Sequence, residues 1–481
     1  MHEDFLRGNP LFSSREALRR EIDRLHLDIP LEAEILKSLK PGRIGHRTVA
    51  NRYVLHPMEG CDGTLDGKPD EITYHRWGRF ARGGAKILWG EACAVVPEGR
   101  ANTRQLLFSK ENLPGLKKLI AFAREEHRKS CGNADDFLIG LQLTHSGRFS
   151  FPAPSVLTRD PVIDPFTRFG KERHPMAADH PVLTDEQLDR LQDAYVAAAK
   201  LSKEAGCDFI DLKQCHRYLL SEMLGAKTRP GKYGGPLENR IRFVCDSFRR
   251  IRAEVGKDMI LATRMNIFDA VPYRQNAATK VGEPVEFPRP YLNAFGVNPN
   301  NPLEPDLREP IEAIRRMRDA GLQFLNISAG CPYYNPHVLR PADTPPPDGY
   351  EMPESGLIGV DRHFRMAEEI QRAFPDFPMV GTGYSYLRHF AAEAGEANLR
   401  AGRISFVGIG RGAIAYPDWV KDLQATGSLE KLKACITVSY CTTLMRTKSN
   451  ELGQYAAGCV PRDPVYGKLL QEIRKKERQS P

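Results

Sequence analysis

A chain of 481 residues, 27% charged and 41% hydrophobic, is long enough for one large domain or several ordinary ones, and its balance is that of a soluble protein. No apolar run approaches the length of about 18 residues needed to cross a bilayer. The net charge of +8 is interleaved with acidic residues outside the tail from Arg474 to Arg478, so neither a membrane nor a nucleic-acid partner is expected.

The first residues are acidic, basic and amphipathic by turns, without a charged leader and cleavage site, and export is not expected. The ten cysteines are scattered, some inside apolar runs as Cys93 and Cys207 are. That usage suits a reducing cytoplasm better than a disulfide framework. Residues 1–38 read as a helical extension, with an amphipathic helix from Ser14 to Leu27.

From residue 39 to 427 one unit repeats: a short apolar strand, a polar strand end, a loop and an amphipathic helix. The strands are expected at Tyr53–Met58, Lys86–Ala92, Phe137–His145, Phe209–Lys213, Met259–Asn266, Gln323–Ser328, Met379–Gly383 and Ile404–Gly410. Helical patterns lie between them, among others at Asp185–Ala205, Leu237–Val255, Glu309–Ala320 and Arg362–Phe374. Gly84, Gly206, Gly256, Gly321 and Gly402 stand where helices stop, as left-handed caps do. Nearly every strand ends in a polar or glycine cluster. A closed (β/α)8 TIM barrel of the α/β class gathers all such ends on one face, which a doubly wound sheet does not. Two irregular stretches, the proline-rich Asp269–Asp306 and Pro332–Met352, follow the fifth and sixth strands and are expected to roof that face. Residues 428–481 read as a C-terminal extension.

Glycines at Val380–Gly383 and Gly408–Gly412 end the last two strands, where backbone N–H groups can approach a phosphate. Gly381, Gly383, Gly410 and Arg411 are the candidate phosphate ligands. Gly408, Gly410 and Ala413 also match a G-x-G-x-x-A dinucleotide fingerprint, but too little chain follows for a βαβ unit. At the end of the fourth strand Lys213, His216 and Tyr218 bring together a cation, an imidazole and a phenol. They are the candidate catalytic cluster. No metal site is assigned.

The run CDFIDLKQCHRYLLSEMLGAKTRPGKYGGPLENRIRF from Cys207 to Phe243 resembles the signature of the Old Yellow Enzyme family. In that signature a His/His or His/Asn pair is followed by Tyr, a basic loop and YGG-x-x-x-NR-x-RF, here Tyr233, Gly234, Gly235, Asn239, Arg240, Arg242 and Phe243. SFVGIGRGAIAYPDW likewise resembles the family's last strand and FMN-phosphate loop. The resemblance spans roughly Leu39 to Trp419 and departs at Lys213, which stands in the place of the first His.

The resemblance implies bound FMN, NADH or NADPH as electron donor, and hydride transfer to the C=C of an unsaturated carbonyl compound, a small-molecule substrate. Pro57, Met58, Ala92, Gln142 and Arg264 then match flavin contacts, with Gln142 at the pyrimidine edge and Arg264 near N1, where reduced flavin carries negative charge. Lys213 and His216 would hold the carbonyl oxygen, and Tyr218 would protonate the α-carbon. Relatives such as trimethylamine dehydrogenase oxidise amines instead, which is one alternative. A lyase using Lys213 as a Schiff base is another, and a non-catalytic flavin-binding protein a third. Relatives with an iron–sulfur cluster carry four cysteines after the last barrel helix. Here Cys435, Cys441 and Cys459 are present but Val438 replaces the second thiolate, so no cluster is expected. With the chain ending at Pro481, one pocket is expected to serve both half-reactions, and a homo-oligomer is compatible with the sequence.

Overall fold

The computed structural model describes residues 9–151, 153–169, 174–446 and 455–479. All eight expected strands form: β1 Tyr53–Leu55, β2 Ile87–Ala94, β3 Leu138–Thr144, β4 Phe209–Leu212, β5 Ile260–Asn266, β6 Phe324–Ser328, β7 Met379–Gly381 and β8 Phe406–Ile409. They pair in parallel and close into a barrel in chain order, β8 against β1. Every residue of these strands is buried, which is why they read as continuous apolar runs: side chains on one face fill the barrel and those on the other meet the helices.

The five glycines expected to stop helices all take positive φ, between 70° and 111°. Two helices differ from the sequence pattern. The one expected over 237–255 breaks at Ile241 into Leu237–Arg240 and Arg242–Val255, where Arg240 turns back to donate to the Gly235 carbonyl at 2.8 Å. The helix expected from Arg362 starts at Gly356, capped by the Ser355 hydroxyl. Phe12, Leu18, Ile22 and Ile29 of the N-terminal stretch are buried in the main core.

An aromatic plug seals the barrel beneath the strand ends. Trp89 lies 4.9 Å, centroid to centroid, from both Phe209 and Phe324, and Phe324 lies 5.6 Å from Phe406. Such edge and tilted contacts pack these rings into one buried cluster.

The long stretch 269–306 carries two small antiparallel hairpins and lies beside the strand-end cavity without lining it. Its first residue is held by an ion pair of 2.7 Å between Arg217 and Asp269, and Tyr291 donates to Asp160 at 2.7 Å. These buried attachments draw it toward the loops after β3 and β4 and away from the cavity. The expectation that it roofs the pocket is corrected. Part of the stretch 332–352 does line the cavity, and so does the C-terminal extension with Cys441, Thr442, Met445, Arg446 and Ala457. That extension is anchored through Asp463, which accepts from His75 at 2.9 Å and Arg79 at 2.5 Å.

Candidate active site

A cavity of about 250 Å³ opens at the C-terminal ends of the barrel strands. It is lined by Pro57 and Met58 after β1, Ala92 of β2, Gln142 of β3, Lys213, His216 and Tyr218 after β4, and Arg264 of β5. Gly383, Gly410 and Arg411 line it from the ends of β7 and β8. Register explains the convergence of the first strands: Ala92 pairs with Gln142, Gln142 with Asp211, and Asn326 with Arg264. Gly381 stands apart. It does not line the cavity, and a Cβ there would come within 2.7 Å of Ile404, so its smallness serves strand-to-strand packing.

Asp211, fully buried in β4, organises the floor. Its carboxylate accepts from Gln142 Nε2 at 2.6 Å, Trp89 Nε1 at 2.7 Å and the Arg264 backbone N–H at 2.7 Å. A carboxylate only accepts, so the Gln142 amide turns its nitrogen toward Asp211 and keeps its oxygen and second N–H for other partners. Sequence reading passed over Asp211 because a single acid inside FIDL looks like an interruption of a strand; its position two residues before Lys213 was the available signal.

Arg264 is 7% exposed, and its Nε is buried without a partner. Its Nη1 reaches only the Pro57 carbonyl at 3.4 Å. Arg411 is 9% exposed with Nη1 likewise unpartnered. Such nitrogens also occur on arginines held in structural ion pairs, as at Arg217, but at a cavity wall they are free to take an anionic ligand. Gly383, at φ +98°, makes the left-handed turn after β7 that only glycine adopts freely. Gly408 lies so close to His56 that a Cβ would fall 2.3 Å from the imidazole. This donor set fits FMN: Gln142 and Arg264 can meet the ring system, and Gly383, Gly410 and Arg411 the phosphate.

The backbone after β4 is strained. His216 and Arg217 are consecutive non-glycine residues at φ +67° and +59°, a conformation kept only where surrounding contacts enforce it. Here Asn266 Oδ1 accepts from the His216 N–H at 3.2 Å, and Arg217 is locked on Asp269. The strain turns His216 into the cavity, where Nε2 lies 3.3 Å from Ser328 Oγ. Burial first, then the cations Arg264, Lys213 and Arg340, hold the His216 pKa well below the usual histidine range, so the ring is neutral at pH 7.

Lys213 is 4% exposed and has no hydrogen-bond or ion-pair partner among the described residues. Its Nζ sits 3.9 Å above the centre of the Tyr218 ring, and burial pulls its pKa down. The Tyr218 hydroxyl is 2.8 Å from that of Tyr333. Burial pushes the Tyr218 phenol well above its ordinary range, so it carries its proton at neutral pH.

Among the lining residues not anticipated from sequence, Glu59, Arg340 and Tyr333 carry chemistry. Glu59, half-buried, accepts from Asn102 and, at 3.2 Å, from Gln105 Nε2; burial raises its pKa to about 7, against the opposing pull of Lys213. Arg340 and Tyr333 come from the loop after β6. The glutamate's adjacency to Pro57 and Met58 was a legible hint, whereas the other two lie in an irregular segment with no period to read. Among the described residues Glu59 is the single acid of the cavity wall, facing Lys213, Arg264, Arg340, Arg411 and Arg446.

Cys435, Cys441 and Cys459 line a neighbouring cavity of about 20 Å³ together with Val438. Among the described residues no group of three or more His, Cys, Asp or Glu side chains is placed to hold a metal ion.

The closed barrel with a cation-lined pocket at its strand ends defines the class, a TIM barrel with its candidate site at the C-terminal face. The chain belongs to the NADH:flavin oxidoreductase / NADH oxidase family, whose model matches residues 38–286. It is 26% identical over 400 residues to an NADH oxidase of Thermoanaerobacter brockii, covering 82% of this chain and 52% of that protein. With an NADPH dehydrogenase of Geobacillus sp. (strain WCH70) it shares 27% identity over 341 residues, 68% of this chain and 83% of the relative. The solved old yellow enzyme homologue from Zymomonas mobilis superposes with a TM-score of 0.56 at 20% identity, over 84% of this chain and 99% of that one. The chain thus spans about half the length of the NADH oxidase it matches. No helix among the described residues is long and apolar enough to cross a membrane.

Proposed function

We propose that this chain is an FMN-dependent NAD(P)H oxidoreductase that reduces the electron-poor C=C of an unsaturated carbonyl compound. The observation that carries this reading is that buried Arg264 and Arg411 each keep one guanidinium nitrogen without an acceptor and line one cavity with Gln142. Bound there, FMN would take hydride from a nicotinamide and give it to the substrate. Arg264 would meet the negative charge that reduction places on the ring, and Gly383, Gly410 and Arg411 would hold the phosphate. Pro57, Met58 and Ala92 form the apolar wall for the ring. Lys213 and the neutral His216 would hold the substrate carbonyl as negative charge develops on its oxygen, and Tyr218 would deliver a proton to the α-carbon.

Amine oxidation is disfavoured by the same wall: Lys213, Arg264, Arg340 and Arg411 stand there with the single acid Glu59, Arg446 being paired with Asp348, and this balance repels a protonated amine. A Schiff-base lyase is compatible with the depressed Lys213 but gives Arg264, Gln142 and the glycine loops no shared task. We read the chain as lacking an iron–sulfur cluster, because Val438 offers no donor atom where it lines the small thiol cavity. All ten cysteines are free, which supports a reducing, cytoplasmic setting. The division into 1–38, 39–427 and 428–481 is likewise our reading.

The test is direct. The purified protein should be yellow, release FMN rather than FAD on denaturation, and oxidise NADH or NADPH when unsaturated carbonyl compounds are supplied. Protein that stays colourless after FMN is added would end the proposal; reduction of the flavin by amines, with no response to enones, would replace it by the amine dehydrogenase reading.

A further inference from the structure

We infer that Tyr333 is a further residue of the reaction: it donates its hydroxyl proton to Tyr218, supports the phenolate that Tyr218 becomes together with Lys213, and then restores the spent proton. The inference rests on the ene-reductase reading above and deepens it.

The geometry is specific. The two hydroxyls are 2.8 Å apart, and each phenol has one proton, so one of them must donate to the other. If Tyr218 donated to Tyr333 its proton would be spoken for, and it could not serve the substrate. With Tyr333 as donor, the Tyr218 proton is free to point into the cavity. The Tyr333 ring is fixed for this by stacking on Phe149, with centroids 4.1 Å apart and planes 27° from parallel.

Burial pushes both phenols above their ordinary range, so what favours a Tyr218 phenolate is the cation beside it. Tyr218 is 4% exposed, with the Lys213 ammonium 3.9 Å over its ring face. A cation over that face attracts a phenolate, whose charge spreads into the ring, more strongly than it attracts a phenol. Tyr333 is half-buried, the less buried of the two, and lines the cavity with Glu59, so the proton is returned to the pair through Tyr333. This gives Lys213 a task suited to its position: its ammonium lies against the ring of the acid, and through that contact it stabilises the phenolate.

The step balances. As hydride reaches the β-carbon, the Tyr218 O–H bond breaks and its proton bonds to the α-carbon. The proton of Tyr333 moves to Tyr218, and Tyr333 takes one from water or from protonated Glu59. The sum is one hydride from the reduced cofactor and one proton from solvent.

The test places a fluorinated tyrosine at position 218 of the full chain with its cofactor, so that this one phenol ionises where the protein stays folded, and follows it by its fluorine resonance. Tyr333→Phe should raise its ionisation by one pH unit or more, a tenfold weaker acid. Lys213→Gln should move it the same way. In single turnovers Tyr333→Phe should slow flavin reoxidation by an enone at least tenfold, and by a clearly larger factor than it slows flavin reduction by NADH or NADPH. Should Tyr333→Phe not retain FMN, fluorotyrosine at 333, which keeps the hydroxyl and is the stronger acid, should lower the ionisation of Tyr218. An ionisation indifferent to position 333 would overturn the inference, and so would faster reoxidation in Tyr333→Phe, which would mean that Tyr218 is the donor. If the ionisation shifts as expected but no unsaturated carbonyl reoxidises the flavin, the pairing stands and the catalytic assignment falls with the ene-reductase reading.

Discussion

Replacing Arg264 with Met separates the two tasks a buried cation can have. The guanidinium is 7% exposed, its Nε has no partner, and its one side-chain contact to the protein is the 3.4 Å approach to the Pro57 carbonyl. A structural ion pair would be costly to break, by about 3 to 5 kcal/mol. An unpaired buried cation is the opposite case, so in the cofactor-free protein Arg264→Met should be neutral or stabilising, by about 1 kcal/mol or more. With FMN bound, the loss falls on the reduced state, which carries the negative charge. A charge-assisted hydrogen bond is worth about 1.5–3 kcal/mol, and for a two-electron couple about 1.4 kcal/mol corresponds to 30 mV. The midpoint potential should therefore drop by about 30 to 65 mV. The assay is a spectroelectrochemical titration of wild type and variant with FMN bound, beside urea unfolding of both without it. A variant that keeps FMN at an unchanged potential, or loses several kcal/mol of stability without it, would refute the placement of Arg264 beside the ring.

The Glu59 carboxyl, raised by burial to about 7 from 4.5, ionises in the unfolded chain first. Wild-type stability relative to Glu59→Gln should therefore fall as pH rises from 4.5 to 7, by at most about 1.4 kcal/mol per pH unit, and level off above; parallel urea stability curves for the two proteins across that range would contradict it. Lys213 is a buried cation without an anionic partner among the described residues, so ligands with an anionic oxygen should bind about tenfold tighter than neutral isosteres. Flavin absorbance titrations should show that preference vanish in Lys213→Met, and its persistence would point to Arg340. Acid-labile sulfide in anaerobically prepared protein should stay at background; near-stoichiometric sulfide would show a cluster held with an unexpected fourth ligand beside Cys435, Cys441 and Cys459.

The period of the chain was enough for the barrel. Eight apolar runs and the glycines that end the helices between them are local features, because burial on both faces of a strand and the left-handed φ of a cap depend on a few neighbouring residues. Since a barrel collects strand ends on one face, Gln142, Lys213, Tyr218 and Arg264 were legible as one site before any contact was known. Gly381 misled for the same reason: a strand-end glycine looks alike whether it admits a phosphate or, as here, the side chain of Ile404. What tertiary structure alone decided lies in pairs far apart in the chain. Tyr218 meets Tyr333 across 115 positions, and Arg217 draws Asp269 in across 52. The second pairing holds the proline-rich stretch aside, which leaves the cavity wall to the loop after β6 and to the C-terminal extension. No local pattern announces such pairings. A loop has no repeating period, and its place is settled by whichever buried hydrogen bonds and ion pairs can be satisfied once the barrel has closed.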